Sequence, residues 1–276
     1  MPVKASIIIG FYKRYDQLAL IIKALENQTD QAFEVIIADD GSPKEVIMEI
    51  NSIIAESPLP IQHIWHEDKG FRKTTILNQA VLASRGKLSI FIDGDCLPGH
   101  HFIEDHLKYA AAKRVTVGRR VELSDALSKK IDVDFINNGG LNSLQLTALL
   151  NSFSGNTRKA EAGFRLGNKW LNELLGSRKK GILGCNFSIM KADLLALNGF
   201  DERYKYPGVG EDTELKERVR HAGFEIFKPK FALVQYHLWH KKQSRAQEKE
   251  NMKLLQETIT NKYIKTPYGI NSKSLL

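Results

Sequence analysis

KLSIFIDGDCLP, residues 87–98, closes a short apolar run with two carboxylates, Asp93 and Asp95, on either side of Gly94. An apolar run of this length bounded by turn residues reads as a buried strand. Ionised carboxylates are too well hydrated to sit inside one. The two acids therefore mark the strand's end and face whatever lies beyond it.

Upstream, the same unit repeats. SIIIGF (6–11) reads as a strand, followed by a helix with Leu18, Ile21, Ile22 and Leu25 at helical spacing. EVIIADDGS (34–42) is strand then turn, and Val46, Ile47, Ile50, Ile53 and Ile54 mark a second helix. IQHIW (61–65) is a third strand, TTILNQAVLAS (74–84) a helix, and KLSIFI (87–92) the fourth strand. Strand and helix in strict turn imply right-handed crossovers, hence an α/β, Rossmann-like fold with a mostly parallel central sheet flanked by helices.

In such sheets ligands bind outside the carboxyl ends of the strands. There the sequence has Gly10-Phe11-Tyr12-Lys13-Arg14, then Asp39-Asp40-Gly41-Ser42, then His66 to Lys73, then Asp93-Gly94-Asp95. Four polar turns at one edge are the pattern of a site.

Beyond residue 100 the reading is coarser. TVGRRVEL (116–123), GCNFSIM (184–190), FEIF and KFALVQYH read as strands. KADLLALNGF and GEDTELKERVRHAG read as helices ending at Gly199 and Gly223. Met252, Leu255, Ile259 and Tyr263 suggest a final amphipathic helix. Residues 124–180 form an insert that matches no pattern.

Three constellations carry chemistry. An Asp-x-Asp at a strand end suits a divalent cation together with nucleotide phosphates, with Gly94 allowing close backbone approach. Alone the tripeptide is a common turn; at the end of the fourth strand of a βα series it is a metal-site candidate. Glu211 and Asp212 open a helix, where two acids either favour the helix dipole or supply a general base. His237 and His240 end a strand, and within a regular strand an odd spacing turns them to opposite faces. Only a break in the strand would bring both to one site.

These residues resemble a known family. SIIIGFYKR, ADDGS, the helix bearing Asn78 and FIDGDCLP are similar to family 2 glycosyltransferases of the GT-A nucleotide-diphospho-sugar transferase fold. NGFDERYKYPGVGEDTELKERVRHAG resembles their galactosyltransferase-type C-terminal region. WHEDKGFRKTTILNQA resembles bacterial chondroitin polymerase and polysaccharide or lipopolysaccharide transferases. The resemblance implies that Gly10, Phe11, Tyr12 and Arg14 line a nucleotide pocket, with Asp39 or Asp40 accepting from uracil N3. Arg72 and Lys73 would approach ribose or phosphates, Asn78 would belong to the same half, and Asp93 would bind ribose or metal-bound water. Asp95 with His237 or His240 would hold Mn²⁺ or Mg²⁺, Asp212 would be the general base, and Glu211 would orient a sugar. Relatives often carry Trp-Gly before the Glu-Asp pair; here Tyr204 or Tyr206 would replace the stacking ring.

The implied reaction is inverting transfer of galactose, N-acetylgalactosamine or glucose from a UDP-sugar to a glycan or lipid-linked acceptor, in bacterial surface polysaccharide synthesis. A non-catalytic glycan- or nucleotide-binding protein of the same fold is the competing reading. A sugar nucleotidyltransferase fits less well, because GFYKRYDQ lacks a glycine-rich phosphate loop. Residues 1–122 form the nucleotide-sugar half, 123–240 the acceptor-side half of the same domain, and 241–276 a basic tail.

Of the net charge of +8, five excess charges lie from Lys241 onward, with eight Lys/Arg against three Glu. No nucleic-acid module accompanies them, so the tail is read as a surface for an anionic membrane. No apolar run approaches a membrane span. The first residues lack a signal-peptide pattern, and two cysteines in apolar contexts do not make a disulfide framework. The expected location is the cytoplasm, at the inner face of the membrane.

Overall fold

The four apolar runs of the first hundred residues become four parallel strands. The structure, a computed structural model, describes residues 2–153, 157–178, 181–208, 210–241 and 248–271. Its opening elements are Ala5–Phe11 (β1), Tyr15–Glu26 (α1), Phe33–Asp39 (β2), Lys44–Glu56 (α2), Ile61–Trp65 (β3), Lys73–Ala83 (α3) and Leu88–Asp93 (β4). In register, Phe11 lies opposite Asp39, and Gly10 opposite Asp93. Parallel pairing therefore stacks the strand ends, and with them the polar turns, along one edge.

Shorter elements follow: Cys96–Pro98 (β5), Phe102–Tyr109 (α4), Arg114–Val117 (β6), Val121–Glu122 (β7), Asp125–Ser128 (α5), Val133–Asn137 (α6) and Gly140–Ser152 (α7). After a 3₁₀ turn at Ala160–Gly163 come Lys169–Leu175 (α8), Asn186–Met190 (β8), Lys191–Ala196 (α9), Glu211–His221 (α10), Glu225–Phe227 (β9), Gln235–His237 (β10) and Glu248–Thr260 (α11). The main sheet has the order β3-β2-β1-β4-β8-β6-β9, and β8 runs antiparallel to both its neighbours. A second sheet, β5-β10-β7, carries the chain that follows β4.

Both faces of the main sheet are buried, as its continuous apolar strands require. Ile7, Ile9, Val35, Ile37, Ile90 and Ile92 pack on α1 and the small sheet. Ile8, Ile36, Ala38 and Phe91 pack on α3, α9 and α10.

Three sequence expectations change. TVGRRVEL is not one strand: β6 and β7 belong to different sheets. The break falls at Gly118, where any side chain would overlap the amide of Asn186. KFALVQYH shrinks to β10 because Leu233 holds a φ of 55°, a left-handed conformation no strand continues through. In α11 the buried positions are Asn251, Leu255 and Thr258, while Met252 and Ile259 are 47% and 40% exposed. Polar residues seat this helix because polar partners face it: Asn251 donates to the Tyr206 carbonyl, and Thr258 meets a buried ion pair of α10.

That pair is Arg218 and Glu214, both fully buried. Arg218 donates to both Glu214 oxygens at 2.6 and 2.8 Å and to the carbonyls of Leu197 and Gly199 at 2.8 Å. Thr258 of α11 donates to the same carboxylate at 3.3 Å. The ion pair thus ties α10 to the loop after α9 through Arg218 and to α11 through Glu214. Replacing Arg218 with Met leaves Glu214 buried without its cation, and we expect a loss of about 3–5 kcal/mol in urea unfolding. A Glu214→Leu/Arg218→Met double variant should recover most of it.

Candidate active site

Lys73, the first residue of α3, lies across the edge of the sheet with its ammonium 2.8 Å from Asp93 and 2.8 Å from Glu211. Gly10 makes this reach possible, since a Cβ there would come within 3.1 Å of the lysine's Cε. One cation therefore joins the end of β4 to the start of α10, positions 118 residues apart beyond Asp93 in the chain order 93 to 211. Burial opposes the charge on Lys73, but the two carboxylates outweigh it and hold its pKa well above the ordinary lysine value. Burial likewise pushes Glu211 upward, and Lys73 more than offsets this, keeping the carboxyl below its usual range.

Asp212 meets the opposite balance. Burial first, and the charge of Glu211 second, raise its pKa above the usual carboxylate value. Its Oδ2 accepts from the Gly184 N–H at 2.9 Å, and its Oδ1 from Thr213 at 3.2 Å. Two adjacent acids are thus driven apart, one kept ionised by a lysine and the other made more basic by burial and by its charged neighbour.

The two histidines do meet. β10 ends at His237, and the chain turns so that Leu238 donates its N–H to the Asp95 carbonyl at 2.9 Å and Trp239 donates to Ser128 at 2.9 Å. With the strand broken, both rings face Asp95, His237 at 3.6 Å and His240 at 3.1 Å, with ring centroids 5.0 Å apart. The backbone carbonyl of Lys241 accepts from His240 Nδ1 at 2.7 Å, which leaves Nε2 to face the carboxylate. Burial raises the Asp95 pKa, but the two imidazoles overcome it and depress the carboxyl strongly; Asp95 in turn raises that of His240. Arg14 is close enough to His240 to oppose that rise.

Asp95, Cys96 and His237 also place one ligand atom each within 4.8 Å of one another. Burial and the nearby Cys185 thiol push the Cys96 pKa well above its ordinary value, so it stays a thiol and donates to Asp95 at 3.1 Å. The oxygen of Asp95 and the two imidazoles are the better cation donors.

The aspartates after β2 sit further along the same edge. Asp39 is fully buried, and its carboxylate accepts from Ser42 at 2.9 and 2.7 Å and pairs with His63 at 3.0 Å. Asp40 keeps some exposed surface, pairs with His66 at 2.7 Å and accepts from the Arg72 N–H at 2.9 Å. Arg72 donates to the Glu67 carbonyl, while its Nε is buried with no hydrogen-bond partner among the described residues. Tyr12 is exposed and donates to Asp68 at 2.9 Å.

Some expected residues lie elsewhere. The Phe11 ring is buried in the core beneath the edge. Asn78 uses its whole amide in the interior, donating to the Phe200 carbonyl and Glu202 at 2.9 and 3.0 Å and accepting from the Phe200 N–H at 2.8 Å. Gly94 is needed for contact with β1, donating to the Gly10 carbonyl at 2.8 Å, with the Phe11 ring 3.3 Å from where a Cβ would stand. Tyr204 is 1% exposed, so it cannot stack on a ligand; Tyr206 is half-buried. The sequence carries no sign of His63 and shows His66 only as the start of the third polar turn, because nothing local says that they buttress Asp39 and Asp40.

Comparison with known proteins agrees with this architecture. The model of glycosyl transferase family 2 matches residues 6–169, more than half of the chain. The chain belongs to glycosyl transferase family 2. A second model, the N-terminal domain of galactosyltransferase, matches residues 175–242. The family match takes in most of the insert that the motifs left out.

Among relatives, the chondroitin synthase of Escherichia coli is 27% identical over 226 residues, 79% of this chain and 32% of that one. The hyaluronan synthase of Pasteurella multocida is 25% identical over 249 residues, 85% of this chain and 24% of that one. The chain thus spans about a third or less of these curated relatives. The structure of GalNAc-T7 with UDP, GalNAc and Mn²⁺ superposes with a TM-score of 0.67 at 13% identity, covering 95% of this chain and 50% of that one. The α/β fold is that of GT-A glycosyltransferases.

Lys73→Met would leave Glu211 without its cation. Because the lysine head is partly exposed, we expect a loss of about 2 kcal/mol, below the range for a fully buried pair, read by urea unfolding with the m-value unchanged.

Proposed function

We propose that the protein is an inverting glycosyltransferase. It moves a sugar, of galactose, N-acetylgalactosamine or glucose type, from a UDP-sugar to a hydroxyl of a glycan or lipid-linked acceptor in bacterial surface polysaccharide synthesis. The observation that carries this reading is the divided acid pair: Asp212 is made more basic while Glu211 is locked to Lys73, on the same sheet edge as Asp95 and its two histidines. A hydroxyl is a poor nucleophile at neutral pH, and a carboxylate with a raised pKa is suited to take its proton. Glu211, fixed by Lys73, orients the sugar, and Asp93, fixed by the same lysine, is available to ribose. Direct attack at the anomeric carbon then inverts its configuration.

On the nucleotide side, Gly10, Tyr12, Arg14, Arg72 and Asp40 or Asp39 form the binding edge. Asp40, the one with exposed surface, is the better placed for uracil N3. Phe11 and Asn78 act through packing beneath that edge. Asp95, His237 and His240 would hold the divalent ion, and one oxygen with two nitrogens favours Mn²⁺ over Mg²⁺. A cation bound there supplies electrostatic stabilisation to the leaving diphosphate. The UDP and Mn²⁺ bound in the GalNAc-T7 structure support this reading by likeness of fold.

The tail is proposed to meet an anionic membrane. Lys241 is exposed, whereas Lys242 and Arg245 lie outside the described residues. Among the described residues no helix is long and apolar enough to cross a membrane.

The direct test is a screen of nucleotide-sugars with Mn²⁺ and with EDTA, scoring released nucleoside diphosphate. One UDP-sugar should be hydrolysed, EDTA should abolish the reaction, and Asp95→Ala should reduce it by at least ~100-fold. Nucleotide binding without turnover on any donor or acceptor would point to the non-catalytic alternative.

The base assignment makes a signed prediction for pH. Activity rises as Asp212 loses its proton, so the acid limb of kcat/KM tracks its raised pKa. Glu211→Gln removes a neighbouring negative charge, makes Asp212 easier to ionise, and should move that limb about one unit toward lower pH. An unmoved limb would assign the base elsewhere.

A further inference from the structure

Beside the metal-site candidate lies a charged cluster with no role in the chemistry above. We propose that Arg120 and Lys159 form a subsite for an anionic group, a carboxylate or a phosphate, carried by the acceptor saccharide. The proposal rests on the transferase reading and names the class of its acceptor.

Position comes first. Glu122 of β7 lies in register with His237 of β10, and parallel partners present their side chains on one face of the sheet. Arg120 reaches Glu122 at 3.4 Å with one nitrogen and the Cys185 thiol at 3.5 Å with another. Cys185 follows Gly184, whose N–H donates to Asp212. Arg120 therefore spans from the histidine side of the site to the backbone that supports the proposed base. The acceptor hydroxyl must reach Asp212, so a guanidinium here meets the acceptor.

Charge is the second observation. A single oxygen of Glu122 takes both Lys159, at 2.6 Å, and Arg120, at 3.4 Å. Two cations share one carboxylate, leaving positive charge in excess. Arg120 is also poorly satisfied: its carboxylate contact is long, its second partner is a thiol, and its Nε is buried with no partner among the described residues. Guanidinium groups bind best to anions that accept two parallel hydrogen bonds.

The third observation is how Lys159 arrives. The strand-like contact between Glu122 and Arg158 runs both ways, at 3.0 and 2.9 Å, docking the insert on the edge of the small sheet. Lys159 follows with a φ of 55°, a left-handed backbone that disfavours side-chain-bearing residues. Its side chain is 58% exposed, open to a ligand while pinned to Glu122.

The test uses the full chain with Mn²⁺ and UDP bound, followed by calorimetric titration with three probes. These are p-nitrophenyl β-glucuronide, glucose 6-phosphate and the neutral p-nitrophenyl β-glucoside. At least one anion should bind about tenfold more tightly than the neutral glycoside and weaken in about 0.5 M salt. Which of the two does so distinguishes carboxylate from phosphate. Arg120→Gln and Lys159→Gln should each lower affinity for that anion at least ~5-fold, as expected for loss of a charge-assisted contact. Equal affinity for charged and neutral probes, no binding of either anion, or a preference that survives both substitutions overturns the proposal. So does an Arg120→Gln variant that loses UDP affinity by the same factor, which would place the residue on the donor. Failure of the wild type to bind UDP at all would overturn the transferase reading first.

Discussion

A buried or half-buried cation needs its counter-charges within a few ångströms, and Lys73 finds them on two elements that the chain order keeps far apart. The contact fixes where α10 can begin relative to β4. It also shapes the electrostatics nearby: Glu211 stays ionised because of Lys73, and the charge of Glu211 adds to the burial that makes Asp212 more basic. Remove the lysine and Glu211 loses the charge that holds its pKa down. The glycine at position 10 belongs to the same constraint, since the lysine's alkyl chain passes where a side chain would stand.

Around that contact, the small sheet works as a bracket. β5 continues directly from Asp95, β10 pairs with it in antiparallel fashion, and β7 pairs with β10. The chain ends of three distant segments are thereby held beside one another. The strand break after His237 then turns what regular alternation would have split into two rings facing one carboxylate. The insert joins the bracket at Glu122, so residues that match no motif still border the site.

The first hundred residues were legible because their signals are local. An apolar run, a turn and an amphipathic stretch repeat within windows of ten to fifteen residues, and IQHIW was bounded to the residue. Asp93 and Asp95 could be placed at the sheet edge for the same reason. Where the reading failed, a distant partner was responsible. Gly118 ends β6 because of Asn186, Leu233 shortens β10, and α11 buries Asn251 and Thr258 against polar partners rather than Met252 and Ile259. Tyr204 looked available for stacking because sequence carries no record of how deep a ring is buried.

By itself the sequence determined the parallel α/β sheet, the edge on which polar turns gather, and the residue types able to bind a nucleotide, hold a cation and take a proton. Those follow from hydrophobic periodicity and from the cost of burying charge, both of which act over short stretches of chain. Only the tertiary structure decided which of those residues act together. The pairing of Lys73 with Glu211, of two histidines with Asp95, and of Arg120 with Lys159 through Glu122 depends on Coulomb and hydrogen-bond terms that decay within a few ångströms of space. Separation along the chain does not encode them, so they exist only once the fold has brought the segments into contact.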